Sequence, residues 1–304
     1  MSALSSKRST STLLRYEQVI AILVKYGFED LLANSTLGRF LPKSKVIIPV
    51  RDGRLVSEFN RYERIRLACE ELGTTFIKFA QIASNRPDLL PEELIDELSK
   101  LQDRVPEVAV KEIKAVLKED LSRPLEELVE YFEDKPIASA SMAQVHRARL
   151  IGGREVVLKV QRPGIRATIE ADIKILRNLA SSLERHFPRY ASYHQMELVK
   201  MFEQTIRKEL KFTLEASNVR RFQRMFKGHP EVHVPELYDE LSTDNVLCLE
   251  YIDGYKITDL ENLSELGMTG PELAKRGIAL YFEQVFAHGF FHADPHPGNI
   301  FVLR

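Results

Sequence analysis

A ten-residue run near the end of the chain constrains its fold more than any other feature. It extends from His292 to Phe301 and reads HADPHPGNIF, which is the pattern H-x-D-x-x-x-x-N followed by apolar residues. An Asp at this position can orient an attacking hydroxyl, and the later Asn can hold a Mg²⁺ that neutralises phosphate charge. Two other interpretations stay open. One is a polar turn rich in His, Pro and Gly, and the other is a metal site built from His292, Asp294 and His296.

Protein kinases carry this pattern in their catalytic loop, with an Arg where this chain has Ala293. A kinase-like chain must also place, upstream and in order, a phosphate-covering loop, a strand Lys, a helix Glu and an adenine-binding strand end. A second metal-binding Asp, in a D-F-G segment, is expected downstream, and the printed sequence to Arg304 contains none. We therefore expect an incomplete C-terminal lobe.

Two apolar runs predict the strands that such a fold needs. Arg154–Gln161 is rich in β-branched residues and carries Lys159, which would need an anionic partner if buried. Asn245–Ile252 is largely apolar, and its end, at Glu250 and Ile252, would meet an adenine. Each run also has a simpler interpretation, an edge-strand Lys facing solvent in the first case and an ordinary core strand in the second.

Periodicity predicts two long helices between these strands. The first covers Gly164–His186 and the second runs from about Met196 to Met225. The second helix contains Glu209 and Glu215, and both are candidate partners of the strand Lys. Because helix charges usually form a solvated face, periodicity does not choose between them.

Small residues precede the Lys strand, in the run Pro136–Ala148. They would allow a backbone to approach phosphates closely, as glycines do in ordinary kinase loops. The alternative is a tightly packed helix start. The candidate phosphate-binding residues are Ala138, Ser139, Ala140 and Ser141.

Three further runs occur upstream, Gly73–Gln81, Arg86–Pro91 and Leu101–Pro106. Together with the loop, strand and catalytic-loop patterns, they make the chain resemble the UbiB/AarF family of atypical protein-kinase-like proteins, from about residue 20 to residue 304. The resemblance implies an α+β, two-lobed protein-kinase-like fold with a helical N-terminal extension and, here, an incomplete C-terminal lobe.

The expected organisation has four parts. Residues 1–52 form an N-terminal tail and helical segment, with the boundary in Pro42–Gly53, and residues 53–135 form the family-specific helical extension. Residues 136–254 form a kinase-like N-lobe with inserted helices. Residues 255–304 begin the C-lobe and contain the catalytic loop.

The resemblance also implies roles for individual residues. The expected catalytic residues are Asp294, Lys159 and Glu215, and the expected Mg²⁺ ligand is Asn299. The expected ATP-binding residues are Ala138, Ser139, Ala140, Ser141, Lys159, Glu250 and Ile252.

A regulatory group is implied as well, formed by Lys78, Gln81 and Glu209. Lys78 and Gln81 match the family's K-x-G-Q signature, with Ala80 in place of its Gly, and Ala is the better helix former. The resemblance implies that this helix covers the place where a protein substrate would dock, which favours ATPase activity or small-molecule phosphotransfer. The family's E-x-D motif reads Glu209-Leu210-Lys211, so a cation replaces the Asp expected to meet Lys78.

The implied function is an atypical kinase or ATPase that uses ATP and Mg²⁺ and supports ubiquinone or other isoprenoid-quinone biosynthesis. The implied partners are an isoprenoid lipid or quinone precursor, quinone-biosynthesis enzymes and a membrane surface. A different class of function is a non-catalytic scaffold for such enzymes that senses nucleotide or lipid.

Composition agrees with an intracellular protein, and the resemblance implies that it is cytoplasmic or peripheral at the inner membrane. A formal net charge of −1 over 304 residues argues against nucleic acid as a partner, and Cys69 and Cys248 alone indicate no disulfide framework. The N-terminal residues Met1–Thr12 lack the apolar core of a secretory signal and predict a short disordered tail, with a transit peptide as the alternative. No apolar run approaches the roughly 20 residues that span a bilayer.

Overall fold

The computed structural model describes residues 2–33, 35, 38, 50–51, 54–101, 105–187, 193–265, 267–294 and 297–303. Helices dominate the N-terminal part, and a five-stranded antiparallel sheet follows. The predicted mixture of helix and sheet is therefore confirmed. The boundary expected in Pro42–Gly53 lies almost entirely outside the described residues.

In the described residues, six α-helices and one small hairpin precede the sheet. The helices are α1 (Ser2–Lys25), α2 (Glu29–Ala33), α3 (Arg61–Leu72), α4 (Thr74–Ser84), α5 (Glu92–Leu98) and α6 (Val110–Asp120), and the hairpin pairs β1 (Val50–Arg51) with β2 (Arg54–Leu55).

Capping explains where the third helix begins and ends. The Asn60 side chain accepts hydrogen bonds from the backbone of Tyr62 and Glu63, which starts α3. Gly73 then separates α3 from α4 with a φ of 90°, a conformation that favours glycine. Helix α1 begins at Ser2, inside the segment for which the sequence predicts a tail.

The sheet contains five strands. They are β3 (Val129–Phe132), β4 (Ala138–Ser139), β5 (Ala143–Leu150), β6 (Glu155–Gln161) and β7 (Val246–Glu250). Their order is β3-β5-β6-β7, with β4 also paired to β5, and every pairing is antiparallel. Strands β6 and β7 coincide closely with the two predicted runs.

Three long helices connect β6 to β7. They are α7 (Ile165–His186), α8 (Gln195–Glu209) and α9 (Phe212–Met225). The prediction of one helix over Met196–Met225 was wrong, because the chain turns at Leu210 and Lys211. Lys211 is extended, with φ −114° and ψ 96°, and the next amide, of Phe212, donates to the carbonyl of Asp244 instead of continuing a helix.

The remaining elements follow the sheet. They are β8 (Gly254–Lys256), α10 (Leu260–Glu265), α11 (Gly270–Phe282), a π-helical turn (Glu283–Ala287), a 3₁₀ turn (Pro297–Asn299) and β9 (Phe301–Leu303). Strands β8 and β9 pair with each other in an antiparallel manner.

Two large clusters of buried apolar residues hold the fold together. The helical core joins α1, α3, α4, α7 and α8, with Phe202 and Ile173 among its most buried side chains. The sheet core lies between α6 and one face of the sheet, and contains Leu117 and Leu158. A smaller cluster, in which Phe212 of α9 packs against Leu247, covers the opposite face of the sheet. The sheet is therefore packed between α6 and α9.

Candidate functional site

Strand alternation and the packing of α9 bring Lys159 to Glu215. Val156, Leu158 and Val160 of β6 point into the sheet core, so Lys159 points to the α9 side. Its Nζ donates hydrogen bonds to both carboxylate oxygens of Glu215, each at 2.8 Å.

The surroundings of this ion pair leave it accessible to a ligand. Strand β6 lies between β5 and β7, so Lys159 is not on an edge strand, although 31% of its side chain and 41% of the Glu215 side chain are exposed. The ring of Phe212 lies 4.9 Å from the ammonium. Glu215 belongs to the first turn of α9, where the helix dipole favours a negative charge.

The alanine-rich loop, defined as Ala138–Met142, is a tight hairpin turn between β4 and β5. The amide of Ala140 donates to the carbonyl of Ala143 at 2.8 Å, and Ser141 and Met142 are buried. The alternative of a helix start was therefore wrong. Val145, three residues beyond the loop, lies directly opposite Lys159 in the β5–β6 pair. The loop and the Lys–Glu pair thus belong to the same end of the sheet.

The end of β7 lies beside β6, the strand that carries Lys159. Glu250 is opposite Val156 in the β6–β7 pair, and its carboxylate accepts from the amide of Glu236 at 2.9 Å. The amide of Glu250 donates to the carbonyl of Glu236. Ile252 follows the strand and is half-buried. The Glu250 amide is therefore already bonded within the protein.

The 3₁₀ turn at Pro297–Asn299 brings Asn299 back to Asp294. The side-chain nitrogen of Asn299, Nδ2, lies 3.4 Å from both the backbone carbonyl oxygen and a carboxylate oxygen of Asp294. Both side chains are exposed. Carboxylate and amide oxygens are ligands that Mg²⁺ accepts, so this donor set fits the implied ion. His296, of the alternative metal site, lies outside the described residues. Within the described ranges, no three His, Cys, Asp or Glu side chains are grouped to hold a metal.

Helix α9 connects the ion pair to the catalytic loop. Two turns beyond Glu215, the ring of Phe222 lies 5.1 Å from that of Phe290 and 6.4 Å from that of His292. Arg221 stacks on Phe290 at 3.9 Å. Sequence reasoning missed these residues, although Phe222 follows Glu215 at the seven-residue spacing that marks one helix face.

The expected regulatory residues also meet. Lys78 on α4 donates to Glu209 at the end of α8, with 2.7 Å between Nζ and Oε1. Lys211 therefore does not prevent this contact. Gln81 lies one turn further along α4 and is half-buried, while Ala80 is buried in the helical core. The structure thus gives Glu209 and Glu215 different lysine partners.

Neither cysteine is suited to nucleophilic chemistry. Cys69 and Cys248 are free thiols in the interior, and burial raises the pKa of each to about 12. Both are therefore neutral near pH 7, and the thiol is the unreactive form.

Among the helices in the described ranges, none combines the length and apolar character needed to cross a membrane.

A strand Lys paired with a helix Glu, a tight turn before that strand and a D-x-x-x-x-N loop define a kinase-like protein. The family model that matches describes an ABC1 atypical kinase-like domain, and it covers residues 100–304. The chain belongs to this family, and the resemblance predicted from the sequence is confirmed.

Curated relatives carry the name "Probable protein kinase UbiB". Those of Pseudomonas putida and Azotobacter vinelandii are 41% and 42% identical over 95% of this chain, and that of Aliivibrio salmonicida is 40% identical over 96%. The chain spans about half the length of these relatives, since it covers 54% of each.

A solved structure is similar as well. It is the complex of Rv3197 with erythromycin from Mycobacterium tuberculosis, with a TM-score of 0.53 and 30% sequence identity. The match covers 73% of this chain and 56% of the other.

Proposed function

We propose that this chain acts as an atypical kinase or ATPase of the UbiB type, which binds ATP with Mg²⁺ and supports ubiquinone or another isoprenoid-quinone biosynthesis. The observation that carries the proposal is the ion pair of Lys159 with Glu215, at the same end of the sheet as the tight turn of the alanine-rich loop. Such a pair positions phosphates in protein kinases. The name UbiB, carried by relatives about 40% identical, supports the biosynthetic role.

Each residue then has a specific role. Lys159, oriented by Glu215, binds the phosphates, and the alanine-rich loop covers them with its backbone. Asp294 orients the acceptor hydroxyl or water, and the side-chain oxygen of Asn299 would hold Mg²⁺. Bound ATP supplies the transferable phosphoryl group, and the ion neutralises its charge.

The contact between Lys78 and Glu209 supports a restriction on the acceptor. It fastens α4, which carries the K-x-G-Q-like signature, to the end of α8, one residue before the turn into α9. A helix fixed there would exclude a protein substrate, so we propose ATP hydrolysis or transfer to an isoprenoid lipid or quinone precursor. Quinone-biosynthesis enzymes and a membrane surface are the proposed partners, at a cytoplasmic or peripheral inner-membrane location.

Nucleotide binding tests the proposal directly. We expect a fluorescent ATP analogue to bind with Mg²⁺, and Lys159→Met to weaken binding about tenfold or more, because an ammonium contact to phosphate is lost. Lys114→Met is the matched control, since Lys114 forms an exposed ion pair with Asp134 on the other side of the sheet. Absence of binding by a folded wild-type protein would contradict the proposal.

Turnover separates the enzyme from the scaffold. In the longest natural form of the protein, we expect Asp294→Asn to retain nucleotide binding and to abolish phosphate release, because the variant keeps the shape but loses the carboxylate. Nucleotide binding without any turnover in the wild-type protein would instead support the nucleotide-sensing scaffold.

A further inference from the structure

Among the described residues, the side chain of Arg162, the residue after β6, donates hydrogen bonds both to the alanine-rich loop and to a segment upstream of the sheet. Its Nε donates to the carbonyl of Ala140 and its Nη2 to the hydroxyl of Ser139, each at 2.9 Å. Its Nη1 donates to the carbonyl of Pro106, also at 2.9 Å. One guanidinium therefore contacts the loop twice and, at the same time, a segment that precedes the sheet by more than twenty residues.

The segment at Pro106 belongs to a linker, defined as Val105–Val108, that leads from the helical extension into α6. A second side chain fastens this linker to the same hairpin. The amide of Val108 donates to Oε1 of Gln144 at 2.7 Å, and Gln144 is fully buried in β5, two residues after the loop. The linker is thus attached at two points, at Pro106 by Arg162, which also binds the loop, and at Val108 by Gln144 of β5.

A backbone hydrogen bond and a buried side chain also fix the loop at Met142. The backbone amide of Arg162 donates to the carbonyl of Met142 at 2.9 Å, and the Met142 side chain is buried in the helical core. Glycine-rich phosphate loops gain closeness to a ligand from small residues, but glycine also has the greatest conformational freedom to lose. Alanine is also small, so an alanine-rich loop fixed by an arginine would allow the backbone to approach a phosphate while having less conformational freedom than a glycine-rich loop.

We propose that Arg162 is a positioning residue that holds the alanine-rich loop in its phosphate-covering conformation and couples that conformation to the linker. The inference rests on the proposed nucleotide site for its consequence, but the coupling itself is a property of the protein without nucleotide. Movement of the helical extension would then change the affinity for the phosphates without touching Lys159 or Asp294.

Arginine is needed for this geometry. Its planar guanidinium offers five N–H donors in a fixed arrangement and can bind acceptors on different segments at once. A lysine keeps the charge but has one nitrogen at the end of a flexible stem. Arg162→Lys therefore separates positioning from charge. Arg154→Lys is the matched control, because Arg154 lies at the exposed β5–β6 turn and contacts only Glu236 among the ion pairs of the described residues.

Amide hydrogen exchange in the absence of nucleotide tests the coupling. We expect Arg162→Lys to speed exchange about tenfold in peptides that cover residues 138–143 and 105–108, because both segments lose a shared donor. Peptides from β7 should exchange as in the wild type, and Arg154→Lys should change neither segment. Unchanged exchange at residues 138–143 in a folded Arg162→Lys protein would overturn the proposal, whether or not the protein binds ATP.

The second measurement compares ATP with AMP. The loop covers phosphates and not the base, so Arg162→Lys should reduce the affinity for ATP about fivefold more than that for AMP. A general loss of structure would weaken both equally. An equal loss for ATP and AMP would therefore reduce Arg162 to a structural residue and contradict the positioning role.

Gln144→Leu provides an independent variant. It keeps the side-chain volume close to that of Gln and removes the acceptor of the Val108 amide, so exchange at Val108 should rise while Arg162 is intact. If Val108 exchanges as in the wild type, the linker is not attached through β5, and the two-point attachment is wrong.

Discussion

At the scale of single residues, the ion pair of Arg15 with Asp172 is the most buried in the part of the chain that the structure describes. The carboxylate is fully buried, and the guanidinium binds both of its oxygens, at 2.7 and 3.0 Å. The same guanidinium donates to the carbonyl of Leu72 at 2.8 Å, directly before the turn at Gly73. Arg15 therefore joins α1, α7 and the end of α3, just before the turn into α4, the helix that carries Lys78.

We expect Arg15→Ala to lower the free energy of unfolding by about 3–5 kcal/mol, because it leaves a buried carboxylate without its partner. Lys25→Ala is the control on the same helix. Lys25 pairs with Glu71 where both are about one-third exposed, and such pairs are worth about 0–1 kcal/mol. Urea denaturation measures both values.

A double variant sharpens this prediction. Arg15→Met with Asp172→Leu removes both charges, so most of the stability lost in Arg15→Ala should return. Equal costs for Arg15→Ala and Lys25→Ala would show that the buried pair does not hold these helices together.

Residue-level prediction from the sequence is possible where chemistry and spacing coincide. Lys159, Asp294 and Asn299 were named because each sits in a short pattern with a known purpose. The choice between Glu209 and Glu215 was left to the family resemblance, because both look like solvated helix charges. Asp172 gave no signal either, since an Asp inside an amphipathic helix ordinarily faces water and its partner lies 157 residues away.

At the scale of elements, the corner between α8 and α9 determines which glutamate meets which lysine. The carbonyl of Leu210 accepts from Nε2 of Gln161 at 2.6 Å and from Nη2 of Arg166 at 2.9 Å. Gln161 also donates to the carbonyl of Asp244 at 3.1 Å. The end of α8 is thus satisfied by side chains from β6 and α7, which allows α9 to begin in a new direction.

We expect Gln161→Leu to lower the free energy of unfolding by about 1–3 kcal/mol, because the carbonyls of Leu210 and Asp244 each lose a hydrogen-bond donor. Exchange in the first turn of α9, around Phe212 and Glu215, should rise. Chemical denaturation and amide exchange measure the two effects.

Gln223→Leu is the matched control for the same helix. Gln223 lies near the other end of α9 and donates to one carbonyl, that of Pro235, at 2.7 Å. This variant should leave exchange around Phe212 unchanged. If Gln161→Leu also leaves it unchanged, the corner does not depend on β6.

The errors in predicting helices and turns arise because contacts between residues distant in the sequence determine these elements. Periodicity gave one helix over Met196–Met225 because apolar residues continue through the corner, and the donors that break it come from another strand. The sequence of the alanine-rich loop has neither helical nor strand periodicity, so it does not distinguish a phosphate-covering turn from a helix start. The pairing of β4 with β5 shows that it is a hairpin turn. Strands β6 and β7 were predicted well because both are short apolar runs bounded by turn residues.

At the scale of the whole molecule, the helical core and the sheet core share no residue. Met142 of the alanine-rich loop is the member of the helical core that comes from the β4–β5 hairpin, so the loop lies where the two cores meet. A site at such a junction can respond to either core. This arrangement predicts that the two parts open separately under native conditions.

Two core truncations test that expectation. Leu117→Ala in the sheet core and Phe202→Ala in the helical core should each cost about 2–5 kcal/mol, because both side chains are fully buried. In native-state exchange at low denaturant, Leu117→Ala should reduce protection in β5 and β6 but not in α7 and α8, and Phe202→Ala should do the reverse. The alanine-rich loop should lose protection in both variants, because its neighbours belong to both cores. An equal loss of protection throughout the molecule in either variant would mean that the two cores open as one cooperative unit, and that the loop cannot transmit a change from one to the other.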